Sequence, residues 1–258
     1  MKQLIKTTIA SVFALSTAFA SSGSAQEATV TSDLSGFSRI ELSTSADLKV
    51  TIGDEYSITM TGNRDRLDRI ELDQSGDELE ISSKSRGFSF FGRHNDGYAK
   101  ISITMPNIEE MEINGSGDAE IIGIDNEEIL LNINGSGDLY VTGKSDAVDI
   151  EINGSGDIEM DEVSGKDVAI EVNGSGNVEF DGGTCDRMEI EVDGSGDIDA
   201  RHLICKEVEI DVEGSGNSRV HATELLIFKS EGSGRVDVFG KPEKVEDRTR
   251  RNSNIRIR

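Results

Sequence analysis

The chain has 258 residues, of which 50 are acidic and 26 basic, with 5% aromatics and no Trp. A formal charge of −24 excludes nucleic acid and anionic membranes as natural partners, because both need clustered cations on the protein. So few rings leave Ile, Val and Leu to build the core, and these are side chains that pleated strands accommodate well.

The N-terminus reads as an export leader. Lys2 and Lys6 precede an apolar run from Ile9 to Ala20, and small-residue cleavage sites close at Ala20 and Ala25. This is the pattern of a signal peptide over residues 1–25. The run falls short of the roughly 20 apolar residues that span a bilayer, and no Cys follows either site. The expectation is therefore an exported chain, periplasmic or at the cell surface, with no transmembrane or lipid anchor. Loss of Lys2 and Lys6 takes the charge from −24 to −26, which favours cationic partners or serves solubility alone.

Residues 26–109 alternate in the manner of strands but without a strict period. Ser45-Ala46-Asp47-Leu48-Lys49-Val50 parallels Ser136-Gly137-Asp138-Leu139-Tyr140-Val141, and Ser75-Gly76-Asp77 lies 41 residues before Ser116-Gly117-Asp118. Both suggest irregular coils that cap a stack. Between them and the regular part, Phe88, Phe90, Phe91 and Arg93 gather rings and a base in one stretch. This is an expected partner-binding loop.

From 110 to 258 the chain is organised by a Gly-Ser-Gly triplet opening at Gly115, Gly135, Gly154, Gly174, Gly194, Gly214 and Gly232, at steps of 20, 19, 20, 20, 20 and 18. Such a period means one supersecondary unit stacked on copies of itself. Before the triplets stand alternating segments such as Val148-Asp149-Ile150-Glu151-Ile152 and Val168-Ala169-Ile170-Glu171-Val172; after them come Ile158-Glu159-Met160 and Val178-Glu179-Phe180. Each reads as a strand with one buried face. Antiparallel hairpins would put successive triplets at opposite ends, whereas superposed coils align Ile152, Val172, Val192 and Val212 in one interior column. The fold class is thus all-β: a parallel, right-handed β-helix or solenoid with coils of ~20 residues.

Stacking turns sequence spacing into chemistry. Cys185 and Cys205 are 20 residues apart, and neighbouring strands lie about 4.8 Å apart, near the lower limit for a disulfide. They form either a bridge or a pair of partly buried thiols. Asp118, Asp138, Asp157, Asn177, Asp197 and Asn217 fall in one column; Glu112, Asn132, Glu151, Glu171, Glu191 and Asp211 fall in another. Carboxylates ~4.8 Å apart repel by about 0.9 kcal/mol even in water. Weak, diffuse Ca²⁺ binding at Asp118, Asp138, Asp157 and Asp197 would relieve this. His202 and His221, 19 apart with Cys205 nearby, form a second candidate metal position. No other cofactor is expected.

Catalytic sites on repeat folds break the repeat with a cleft or insertion, and the central coils carry neither. Acids recur at every coil, so no pair stands out as a glycosidase dyad. A non-enzymatic binding protein is the leading expectation. A structural scaffold with weak cation binding and a polysaccharide-acting enzyme are the alternatives. Past Gly240-Lys241-Pro242 the charge reverses, with Arg248, Arg250, Arg251, Arg256 and Arg258, and Asn252-Ser253-Asn254-Ile255 resembles a decayed triplet. This end reads as a capping rung, or as a contact for an acidic partner such as a second copy of the chain.

Ile113-Asn114-Gly115-Ser116-Gly117-Asp118 and its copies at 133–138 and 152–157 resemble the head GIN domain family of bacterial envelope proteins, described as autotransporter adhesins. The resemblance extends from Gly36 to Ile257. It implies a single-stranded right-handed β-helix and an adhesive role toward an envelope component, a glycan or a protein. It implies no catalytic residue. An autotransporter also needs a C-terminal membrane barrel, which a chain of this length is not expected to contain.

Overall fold

The computed structural model describes residues 27–84, 98–249 and 254–258. The leader over 1–25, the loop residues Phe88, Phe90, Phe91 and Arg93, and Arg250, Arg251, Asn252 and Ser253 lie outside the described residues.

The chain opens with β1 (Glu27–Ser32), β2 (Arg39–Ser43), β3 (Asp47–Ile52) and β4 (Ser57–Asn63), then a single helical turn α1 (Arg64–Leu67). Asn63 caps that turn, its Oδ1 accepting from the Asp65 N–H at 3.0 Å. Next come β5 (Ile70–Ser75), β6 (Glu78–Ser83), β7 (Ala99–Met105), β8 (Glu110–Ile113) and β9 (Ala119–Ile133). β2 and β3 make one coil around a corner at Thr44-Ser45-Ala46. Its neighbours are parallel on both sides: Ile40 lies between Leu79 of β6 and Met111 of β8, and Val50 between Ile103 of β7 and Ile121 of β9. The first coil in sequence is therefore the second in space, wedged between two that follow it. The outer edge is closed by antiparallel strands, β5 on β6 and β4 on β7, with β1 on β4. Ser75-Gly76-Asp77 is not a coil corner. Ser75 pairs with Glu78 across a tight hairpin, and Gly76 supplies the positive φ of +69° such a turn demands.

Beyond β9 the stack is regular, through β10 (Leu139–Gly154), β11 (Ile158–Ser164), β12 (Asp167–Gly174), β13 (Val178–Gly194), β14 (Ile198–Gly214), β15 (Ser218–Gly232), β16 (Val236–Phe239), β17 (Lys244–Asp247) and β18 (Ile255–Ile257). The result is a β-solenoid of about seven turns. Alternation places every second residue inward, and the coils stack in register. Ile150 pairs with Ile170 and then Ile190, and Ile152 with Val172 and then Val192. These columns are 0–3% exposed and belong to one continuous core. Each buried side chain contributes roughly 1.5–3 kcal/mol, which only a stack of coils can accumulate against the ordering entropy.

Departures from a step of 20 appear as local irregularities. The coil of β9 holds one residue more than that of β10, and the register slips between Thr142 and Gly143. The excess residue is Gly123, at φ +83°, a bulge that leaves both flanking ladders intact. The short final step is absorbed between Ala200 and Ile204 and again between Cys205 and Glu207, where β14 meets β15.

Candidate ligand groove

Every coil turns at the same corner, and two ladders of polar side chains flank it. At the corner the N–H groups of Ser136, Ser155, Ser175, Ser195, Ser215 and Ser233 donate to the first-glycine carbonyl of the coil before, at 2.7–2.9 Å. Before the corner, the amide of Asn134 donates to Asn114 Oδ1, Asn153 to Asn134 and Asn173 to Asn153, at 3.0–3.2 Å. After it, the backbone N–H of Asp138, Asp157, Asn177, Asp197 and Asn217 donates to Oδ1 of the residue one coil below, at 2.7–3.0 Å.

This second ladder shows the Asn and Asp side chains capping backbone amides. Asp118, Asp138, Asp157 and Asp197 each spend Oδ1 on the next coil's backbone, so a fixed N–H dipole offsets the repulsion that a cation was expected to relieve. Among the described residues no three His, Cys, Asp or Glu side chains gather in a metal-holding group. The slip in β14 sets His221 opposite Ile204 rather than His202, and its Nδ1 lies 3.3 Å from the Arg201 carbonyl. The expected histidine pairing is thus undone by the shortened coil. Cys185 and Cys205 are direct register partners and are joined by a disulfide with a Cα separation of 4.5 Å.

Two residues past each Asx position the side chain points out of the solenoid. Lys49, Glu120, Tyr140, Glu159, Glu179, Asp199 and Arg219 form a single outward column. Both ends of its acidic part are neutralised: Lys49 Nζ donates to Glu120 at 2.8 Å, and Arg201 Nε and Arg219 Nη1 reach Asp199 at 2.7 and 3.3 Å. Burial opposes ionisation of Asp199, but the two guanidinium groups outweigh it and hold the carboxyl below its usual range. Glu159 and Glu179, in the middle, make no salt bridge among the described residues, and Arg201 reaches Glu179 only through a longer-range attraction. Partial burial, then Asp181, Glu179 and Asp161, push Glu159 above the ordinary carboxylate range. Tyr140 donates its hydroxyl to Asp161 at 2.8 Å, and that carboxylate raises the phenol.

The Asx ladder and this column are the two walls of an open groove of about 590 Å³ along the solenoid axis. Asp118, Asp138, Asp157, Asn177 and Asp197 line one side, and Tyr140, Glu159, Glu179, Asp199 and Arg219 the other. The four aspartates singled out in the sequence thus share one site, although its second wall was missed. The signal was present, since those residues each lie two past an Asx. At the C-terminal end, Arg248 Nη1 pairs with Glu209 at 3.0 Å and Arg258 Nη2 with Asp237 at 3.1 Å. These bases bind acids of the chain's own coils.

The sequence model of the family described as "Putative auto-transporter adhesin, head GIN domain" matches residues 36–161 and again 142–242. The chain belongs to the head GIN domain family. That two overlapping matches are needed reflects the internal repeat. No protein of curated function matches the chain in sequence. Among solved structures, a "Putative lipid binding protein" from Parabacteroides distasonis ATCC 8503 is similar at 25% identity, with 91% of this chain and 98% of that one covered and a TM-score of 0.79. A "putative adhesin" from the same organism aligns at 16% identity, TM-score 0.82, over 92% and 98%. Another "putative adhesin", from Parabacteroides merdae ATCC 43184, aligns at 16%, TM-score 0.81, over 91% and 96%. At these lower identities the likeness shows the fold of a head GIN domain and nothing finer. Among the described residues, no helix is long and apolar enough to cross a membrane.

Proposed function

We propose that this head GIN domain protein is an exported, non-enzymatic cell-envelope protein that binds an extended, cation-bearing ligand along the groove. The observation that carries the reading is that Glu159 and Glu179 make no salt bridge among the described residues, midway along a column whose acids are neutralised at both ends. A linear ligand laid along the axis meets an acceptor at every coil, about 4.8 Å apart, and its positive groups complete the ladder at the centre. Repetition also argues against catalysis, because acids recur from coil to coil and the central coils carry no insertion that breaks the repeat.

One structural relative carries a lipid-binding description. Here the inward columns are filled by side chains, so a lipid would be held by its headgroup and not by an acyl chain in the core. The adhesive reading is tested with the leaderless protein immobilised against oligolysine, oligomers of glucosamine and neutral cello-oligomers. Binding of the charged probes, lost in a Glu159→Gln/Glu179→Gln double variant, supports it. Equal capture by both proteins contradicts it.

A further inference from the structure

We propose that Asn173 is a site of spontaneous deamidation, and that the conversion spreads from it down the asparagine ladder toward Asn114. This does not rest on ligand binding in the groove. Asn114, Asn134, Asn153 and Asn173 each precede the first glycine of a triplet. In an Asn-Gly pair the glycine nitrogen closes on the side-chain carbonyl carbon with no Cβ in its way. That nitrogen gives up its proton to water or hydroxide and bonds to Cγ. The Cγ–Nδ2 bond breaks, and Nδ2 takes a proton from solvent and leaves as ammonia. Water then opens the five-membered imide to a carboxylate, in the α- or β-linked form. The stack already carries the α-linked product. Asp193, in Asp193-Gly194-Ser195-Gly196, is the register partner of Asn173 one coil on, and Glu213 and Glu231 hold the same position in the next two coils. The corner therefore accepts a carboxylate at this place.

The four asparagines differ in how firmly each side chain is held. Ring closure needs the amide to rotate out of the ladder and onto the glycine nitrogen. Both amide hydrogens of Asn134 are spent, on Glu112 and Asn114, and both of Asn153, on Glu151 and Asn134, at 2.7–3.1 Å. Oδ1 of each also accepts from the coil above, so rotation breaks three bonds. Asn173 donates to Glu171 at 2.8 Å and to Asn153 at 3.2 Å. Its own Oδ1 receives nothing from Asp193, because a carboxylate only accepts, and rotation breaks two bonds. Asn114 also makes two, donating to Glu41 and accepting from Asn134, but it is half-buried where the other three are exposed. The ladder has a direction as well, since every amide donates downward. A carboxylate at position 173 donates nothing to Asn153, which is left with two bonds and reacts next; the same then holds for Asn134. A carboxylate at position 114 still accepts from Asn134, so conversion there releases nothing. Each step adds a negative charge beside Glu171, Glu151 or Glu112, and the charge of this face grows with the age of the molecule.

The test is a time course of the folded, leaderless protein in mildly alkaline buffer, read by peptide mass spectrometry at each Asn-Gly pair. Asn173 should convert first, about fivefold faster than Asn134, the factor that one net hydrogen bond is worth. Asn153 should lag and then accelerate as Asn173 is consumed. In Asn173→Asp, Asn153 should convert without a lag, at about the rate of Asn173 in the parent. Asn173→Ser removes the amide without adding charge and should act alike, which keeps the test open if the first variant fails to fold. In urea all four should convert at one rate, since each stands in the same Asn-Gly-Ser-Gly sequence. Equal rates or no conversion in the folded protein, the same order in urea, or an Asn153 rate unchanged in both variants overturns the proposal.

Discussion

A Cβ built on Gly156 would stand 2.1 Å from the carbonyl oxygen of Gly137, one coil below. The corner is glycine here for lack of space, since the backbones of successive coils touch. Gly156→Ala must push two coils apart and should cost ~3 kcal/mol or more. Gly76→Ala meets no atom within 4 Å and strains only φ, at about 1–2 kcal/mol. Urea unfolding of the two variants should show the larger loss at Gly156. Equal losses would mean that the corner glycines serve turn conformation alone.

The core contains an unsatisfied hydroxyl. Ser218 is 1% exposed and its Oγ lacks a partner, in an inward column between Ile198 and Val236. Ser218→Val removes an unsatisfied hydroxyl and restores the aliphatic column. A gain of roughly 1–3 kcal/mol is expected, read as a higher denaturation midpoint. A lower midpoint would show that the hydroxyl is bonded.

The disulfide closes a loop of 20 residues between buried positions. Its loss in Cys185→Ala/Cys205→Ala should cost about 3 kcal/mol, chiefly through the unfolded chain. Thermal melts with and without reductant should separate for the parent and coincide for the variant.

Stability should also respond to mild acid in an unusual direction. Asp149 is raised by burial, then by Glu151, Glu128 and Glu171, and Glu159 by burial and its acidic neighbours. A carboxyl whose folded pKa exceeds its unfolded value binds its proton more tightly in the folded state. Its favourable contribution is complete below the unfolded pKa and is lost as pH rises through the folded one. The parent should therefore gain stability as pH falls from 7 toward the ordinary carboxylate range. Glu159→Gln should stabilise by ~0.5 kcal/mol at pH 7, given solvent screening, with the difference vanishing near pH 4. A pH-independent difference would contradict the cause assigned.

Much of this was legible in the residues. The period fixed which side chains share a column, so Ile152 beside Val172 and Cys185 beside Cys205 followed from spacing. The equivalence of Leu48 and Val50 with Leu139 and Val141 also survives, since both pairs align with Ala119 and Ile121. What spacing could not supply was pairing order. Nothing local in β2 or β3 tells them to insert between coils that come later, and Ser75-Gly76-Asp77 has corner composition but hairpin geometry. Asn and Asp at the turns are expected to cap backbone amides, and they do, although spacing could not show that each cap reaches across to the next coil. His202 and His221 failed for a related reason: a coil two residues short shifts every register past it.

The central claim is that distance along the chain becomes height along the solenoid. Pairs of nitroxide labels on the outward column of Glu112, Glu151, Glu171, Glu191 and Asp211, measured by pulsed electron resonance against Asp211, test it most directly. The separation should grow by about 4.8 Å per coil, reaching ~24 Å for Glu112. Separations that fail to rise by the same amount for each coil crossed would contradict the stack.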